Sequence, residues 1–297
     1  MAPGNGFRTR FAPSPTGPLH FGSLVAALGS WLAARLRDGA WHVRIEDLDP
    51  PREAPGATDA ILRTLEAYGL TWDGEVVYQS QRSAAYAEAV EQLLDQGAAF
   101  PCACTRREVQ AASARHGPAG LVYPGTCRNG LPPGREGRSI RVRTDGTPPI
   151  RFEDGAEGVV TCELASEIGD FVIRRADGCY AYHLACAVDD GEGGFTHVIR
   201  GRDLLACTPP QIHLQRLLGL PTPYYHHLPL ALNPEGQKLS KQNRAPPLEE
   251  TNPAPALVDA LQLLGYRPPS SLRQAVPAEV LAWALATEAT PCIAANG

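Results

Sequence analysis

The stretch RFAPSPTGPLHFGS, residues 10–23, places three prolines and two glycines directly ahead of a run with helical periodicity. Each proline fixes φ and removes a backbone donor, so residues 12–18 read as a stiff, extended loop. Leu24, Leu28, Trp31, Leu32 and Leu36 then recur at helical spacing and predict a helix over about residues 22–36. The unsatisfied N–H groups and positive dipole end of that helix suit a phosphate. An ordinary loop before an ordinary helix would look the same, so the rest of the chain has to decide.

The remaining pattern predicts a parallel α/β sheet. WHVRIED alternates like a half-buried strand and ends in acidic residues. Ile61, Leu62, Leu65 and Tyr68 form a helical face that stops at Gly69, and SAAYAEAVEQLLDQG is a helix closing on Gly97. From about Phe100 to Glu167 the chain turns rich in Cys, Gly, Pro and Arg, which marks an insertion. Strand and helix alternation resumes through DFVIRR, CYAYHLACAVDD and FTHVIRG. TPPQIHLQRLLG carries a capping box, Thr208 with Gln211, and proline at the helix start. YYHHLPLALN is a further strand, and amphipathic helices begin at Asn252-Pro253 and at Pro277. The expected division is 1–99 and 168–232 as halves of one core, 100–167 as the insertion and 233–297 as a loop with helical appendage.

A formal charge of -5 gives no global basic field, so a nucleic-acid partner must be met by a local patch. Arg106, Arg107, Arg128, Arg135, Arg138, Arg141 and Arg143 concentrate such charge around the insertion. The start of the chain shows no apolar signal region, and the apolar run 24–34 is too short to span a bilayer. Eight cysteines without a secretion signal argue for reduced thiols, a cytoplasmic location and room for a metal site.

Lysine usage narrows the chemistry. Of 27 Lys and Arg residues only Lys238 and Lys241 are lysine, both inside GQKLSKQN. Two scattered residues fall this close by chance in roughly 2% of cases. A chemical need for a compact ammonium explains the pair better than surface charge does.

In the insertion, Cys102, Cys104 and Cys127 offer three soft ligands, and Zn²⁺ takes four. His116 and Tyr123 are the nearby candidates for the fourth. Packed reduced thiols fit the same spacing. The remaining cysteines, at 162, 179, 186, 207 and 292, sit singly and read as inert.

Taken together, RFAPSPTGPLHFGS, RIEDLDP, AYHLACAVDD, THVIRGRDLL and LPLALNPEGQKLSKQN resemble the catalytic core of class I glutamyl-tRNA synthetases. The first stretch corresponds to their HIGH-type signature and the last to their KMSKS-type loop, and the match runs over about residues 8–247. The KLSKQ form, the CxC…YxxxC insertion and the short region after the loop, without an anticodon-binding domain, resemble the shortened branch, the glutamyl-Q tRNA(Asp) synthetases. That resemblance implies a Rossmann-type core, ATP with Mg²⁺, L-glutamate and tRNA(Asp) carrying queuosine as partners, and no obligate protein partner. It implies activation of glutamate without tRNA, then transfer to the wobble queuosine.

By the same resemblance Arg10, Phe11, Ala12, Pro13, Ser14, Glu46, Tyr182 and Arg200 form the glutamate pocket. The arginines supply forks for carboxylates, Glu46 a countercharge for the ammonium and Tyr182 a hydroxyl. His20, Gly22 and Lys241 serve ATP, with Lys238 in support, and Asp189 and Asp190 back the pocket. Tyr123 occupies the fourth-ligand position and is preferred to His116. HFGS and KLSKQ depart from the fuller motifs, with Gln242 in place of a final serine, and neither loses a catalytic group. The rival readings are a truncated glutamate–tRNA ligase that charges a 3′ end and a non-catalytic zinc-bearing tRNA-binding module.

Overall fold

The computed structural model describes residues 6–113, 115–117, 120–232, 246–288 and 293. Two right-sized crossovers build the first half. β1 (Arg8–Phe11) lies parallel to β2 (Ala40–Ile45), with Arg8 opposite Ala40, and α1 (Phe21–Arg35) joins them. β2 is parallel in turn to β3 (Val77–Tyr78), reached through α2 (Ala57–Ala67). α3 (Ser83–Asp95) and β4 (Ala99–Cys102) lead out of this half.

The next stretch contains α4 (Arg106–Ala112), β5 (His116–Gly117), β6 (Gly120–Leu121) and β7 (Ser139–Val142). It continues through β8 (Ile150–Asp154), β9 (Gly158–Cys162), α5 (Leu164–Glu167) and β10 (Val172–Arg174). β7 pairs antiparallel with both β4 and β10. β8 and β9 form a hairpin whose Asp154 stands beside Tyr225 of the following half.

α6 (Tyr182–Glu192), β11 (His197–Gly201), α7 (Thr208–Leu218) and β12 (Tyr224–Leu228) complete the alternation, β11 and β12 being parallel. The Thr196 N–H donates to the Arg8 carbonyl at 3.0 Å and brings β11 beside β1. The strand order is therefore β3-β2-β1-β11-β12, a doubly wound arrangement whose direction of winding reverses between β1 and β11. A crevice opens at the carboxyl ends of strands at such a reversal.

α8 (Ala254–Leu263) and α9 (Pro277–Ala286) pack on α1, which is buried on nearly every side from Leu24 to Ala34. Gly29 lets α1 lie close against β12 on its other side, because a β-carbon there would sit 2.6 Å from Leu228 Cδ1. Among the described residues no helix is long and apolar enough to cross a membrane.

Two local expectations need correction. The polar face of WHVRIED is not solvated, since Arg44 is only 1% exposed and sits over α6 among carboxylates. Thr208 and Gln211 do not form a capping box; Cys207 stands at the N-cap position of α7 without a side-chain cap bond, and both side chains turn to Arg200 instead. A buried guanidinium outbids a helix end for those two acceptors, because an unpaired buried charge costs far more than an uncapped N–H.

Candidate active site

A cavity of about 960 Å³ lies at the crevice between β1 and β11. Its walls come from the end of β1 and the loop after it (Arg10, Phe11, Ala12, Pro13 and Ser14), from Glu46 just past β2, and from Tyr182 at the start of α6. Arg200 on β11 and His20 and Gly22 at the start of α1 close it. All the sequence-derived pocket residues that the structure describes thus share one cavity. Lys238 and Lys241 lie outside the described residues.

The proline-rich loop is stiffened by its carbonyls as well as its rings. Pro13 O accepts from the Glu46 N–H at 3.0 Å, Pro15 O from Ala54 at 3.0 Å and Leu19 O from Leu248 at 2.9 Å. The chain leaving the lysine segment is therefore tied to the residue before His20, and Pro247 bridges to His20 itself. His20 caps α1, its Nδ1 accepting from the Ser23 N–H at 3.3 Å. In the neutral ring this leaves the proton on Nε2.

Arg10 does not present an open fork. Its Nε and Nη2 donate to the two oxygens of Asp190 at 2.8 and 3.0 Å. Asp190 also accepts from Arg44 Nη1 at 2.6 Å, and Arg44 Nη2 reaches Glu46 at 3.1 Å. Asp189 holds Gln79, Arg82 and Tyr86 behind them. Burial opposes ionisation of Asp190, but Arg10 and Arg44 outweigh it and keep the carboxyl well below its usual range. For Glu46 the balance reverses: burial pushes it up against the pull of Arg44 and Arg10. The Cys186 thiol donates to Glu46 at 3.3 Å.

Arg200 is treated differently. It is 5% exposed, and its guanidinium donates to His227 Nε2 at 3.2 Å, Gln211 Oε1 at 2.9 Å and Thr208 Oγ1 at 2.7 Å. All three acceptors are neutral, so among the described residues no carboxylate in contact cancels its charge.

In the insertion the Cys102, Cys104 and Cys127 sulfurs lie within 4.8 Å of one another. The Tyr123 hydroxyl is 3.4 Å from Cys102 Sγ and 3.7 Å from Cys104 Sγ, and it accepts the Cys127 N–H at 2.9 Å. Four Zn–S or Zn–O bonds of ~2.0–2.3 Å would set ligand atoms about this far apart, so the donor set fits a tetrahedral metal. His116 is exposed on β5 and outside this group.

A family model described as the catalytic domain of class I tRNA synthetases (E and Q) matches residues 6–281. A glutamyl-Q tRNA(Asp) synthetase of Thiobacillus denitrificans is 58% identical over 93% of this chain and 91% of its own length. That of Dechloromonas aromatica is 55% identical over 94% and 92%. The chain belongs to the glutamyl-Q tRNA(Asp) synthetase family. It is accordingly a ligase of the class I aminoacyl-tRNA synthetase type.

Solved relatives agree on the fold of this synthetase family. A glutamate tRNA ligase of Elizabethkingia meningosepticum, in complex with its amino acid, superposes with a TM-score of 0.68 at 30% identity, over 80% of this chain. A glutamate-tRNA synthetase of Elizabethkingia anophelis gives 0.76 at 26% over 93%. The chain spans 52% and 65% of those two longer chains.

The synthetase pocket also holds residues that sequence reasoning passed over. Thr16, Ser23, Arg52 and Asp203 line it, as do Leu228 at the end of β12 and Pro229, Leu230 and Ala231 after it. The doubled histidine of YYHHLP was a usable signal, since His227 proves to be Arg200's partner. Nothing local marks Asp154. The arginine patch is also smaller than expected: Arg128 pairs with Asp170, Arg135 with Glu108 and Arg143 with Asp145, while Arg141 stacks on Tyr123. Arg106, Arg107 and Arg138 are exposed, with no ion pair among the described residues.

Proposed function

We propose that this protein uses ATP to convert L-glutamate to glutamyl-adenylate without tRNA, then transfers the glutamate to the queuosine of tRNA(Asp). The observation that carries the reading is the buried Arg200. A cation that no acid among the described residues touches, on a cavity wall, is matched to a substrate carboxylate. Glu46 on the same wall supplies the opposite charge for an ammonium. The names of the relatives support glutamate and tRNA(Asp) as substrates.

Adenylate formation needs the substrate carboxylate held in line with the α-phosphate, and positive charge or donors for the phosphates as they separate. The first N–H groups of α1 lie beyond intrahelical acceptors and face that need. His20, with its proton on Nε2, donates to a phosphate oxygen, and Gly22 lets the nucleotide come close to the backbone. Lys241 brings an ammonium to the phosphates, Lys238 assists it, and Mg²⁺ enters with ATP. Cys102, Cys104, Cys127 and Tyr123 would hold one Zn²⁺, which supplies a structural cross-link between β4 and the 123–127 turn.

Glutamate-dependent ATP–pyrophosphate exchange in the absence of tRNA tests the first half. For the second, radiolabelled glutamate is offered to an anticodon stem-loop bearing queuosine and to the same RNA bearing guanosine. Labelling of the first alone is expected. Label on a 3′-terminal adenosine would make the protein a conventional ligase, and absence of exchange would leave a binding module.

A further inference from the structure

Arg200 owes its orientation to a side chain two steps away. Asp154, the last residue of β8, and His227 on β12 are both fully buried at their side chains, with His227 Nδ1 2.5 Å from Asp154 Oδ2. The other Asp154 oxygen accepts the backbone N–H groups of Ala156, Glu157 and His227 at 3.0, 3.1 and 3.3 Å. The carboxylate is thus locked by four donors and cannot swing towards any other partner.

The order of donors then fixes the imidazole. Arg200 Nε always carries hydrogen, so His227 Nε2 must offer it a lone pair. The ring proton is left on Nδ1, where it points at Asp154. Thr208 Oγ1, which accepts from Arg200 Nη2, lies 3.3 Å from the same His227 Nε2 and completes the cradle. Burial and Arg200 both work to keep His227 neutral, against the pull of Asp154.

The imidazole between the two charges has a consequence. An aspartate in contact with Arg200 would hold it but would also cancel its charge, as Asp190 does for Arg10. One ring further away, Asp154 orients the fork and leaves the charge available to a ligand.

We propose that Asp154, acting through His227, is a positioning residue that holds Arg200 as the carboxylate anchor of the substrate amino acid. This rests on the reading of the cavity as a glutamate site. The chain from Asp154 also links the β8–β9 hairpin to the catalytic core, so the hairpin takes part in substrate selection.

The test is Asp154→Asn, with Asp154→Glu as the conservative partner. Facing His227 with an amide N–H moves the ring proton to Nε2, where it opposes the Arg200 N–H. The Michaelis constant for glutamate in pyrophosphate exchange should rise about tenfold or more, while kcat and the constant for ATP stay within about twofold. Asp154→Glu should recover part of the loss. Nitrogen-15 spectra of the histidine side chains, with His227 assigned by its loss in His227→Asn, should show the Nδ1–H tautomer in the unaltered protein. In Asp154→Asn they should show Nε2–H.

An unchanged glutamate constant in Asp154→Asn would overturn the proposal. So would a uniform loss of all kinetic parameters, or an Nε2–H or doubly protonated His227 in the unaltered protein. If the unaltered protein shows no glutamate-dependent exchange, the functional reading fails, and the tautomer data still decide whether Asp154 sets the ring that holds Arg200.

Discussion

Arg10 and Asp190 meet in a two-bond pair at 2.8 and 3.0 Å, 180 residues apart in the chain and almost wholly excluded from water. That pairing separates two arginines that look equivalent in sequence. Arg10 is paired with a carboxylate of its own chain, and Arg200 touches none among the described residues. Both line the cavity, so the two guanidiniums meet it in different electrostatic states. Arg44, held by Asp190 and Glu46, joins the floor of the site to α6.

Asp190→Asn should damage stability first. It leaves Arg10 and Arg44 buried without their shared carboxylate, and removing one partner of a buried ion pair costs about 3–5 kcal/mol. Urea unfolding at neutral pH measures it, and a loss under about 1 kcal/mol would show that the pair is not structural. The pH dependence has a definite sign. Asp190 is held low in the fold, so its contribution is full above the ordinary carboxylate pKa and is lost only as pH falls through its depressed value.

Arg200→Lys should behave in the opposite way. A point charge cannot engage Thr208, Gln211, His227 and a carboxylate together, and each buried acceptor left unpaired costs the fold about 1–3 kcal/mol. The glutamate constant should rise about a hundredfold, a loss larger than the accompanying fall in stability. Equal glutamate affinity in the variant would remove Arg200 from the substrate site.

If Glu46 meets the substrate ammonium as proposed, it sets the acid side of glutamate recognition. Burial raises its pKa despite Arg44 and Arg10, and only the ionised form attracts an ammonium. Glutamate kcat/KM should fall as pH drops through a value above the ordinary glutamic acid range. In Glu46→Gln activity should be low and that limb absent; a limb that persists would assign it to another group.

The parts of this molecule that were legible in sequence are those written in neighbouring residues. The α1 spacing, the proline-stiffened loop before it and the strand and helix alternation each depend on contacts a few positions apart. What could not be read depends on partners that the fold brings together. Arg44 follows the alternation of a solvated strand face, and only α6 packing over it turns that face into an ion network. Thr208-x-x-Gln211 has the spacing of a capping box, yet Arg200 claims both side chains. The arginine cluster is conspicuous in sequence because the acids that offset it, Asp170 among them, lie elsewhere in the chain.

The cysteine cluster should hold one zinc per chain, counted by elemental analysis of the purified protein. Cys102→Ser with Cys127→Ser should abolish it and loosen the packing of Phe100 and Tyr123 around it. Tyr123→Phe removes the oxygen that meets two sulfurs and the Cys127 N–H, and should weaken zinc retention about ten- to a hundredfold. Full retention in Tyr123→Phe would exclude the phenol as a ligand, and a metal-free protein would make the cluster three packed thiols.

The two lysines carry the last prediction. Lys238 and Lys241 lie outside the described residues, and the chain that follows them pairs at Pro247 and Leu248 with His20 and Leu19 on the cavity wall. The proposed reaction gives the two lysines the ATP phosphates as partners. An ammonium is a compact charge that can settle on one phosphate oxygen as negative charge gathers there, a contact made in the transition state rather than in the ground state. Lys241→Ala should lower the pyrophosphate exchange rate about 10²–10³-fold with the glutamate constant unchanged. Lys241→Arg keeps the charge but spreads it over a plane, and should remain at least about tenfold slow. Lys238→Ala should cost less than Lys241→Ala. Exchange near the normal rate in a folded Lys241→Ala protein would show that the rarity of lysine in this chain has nothing to do with its chemistry.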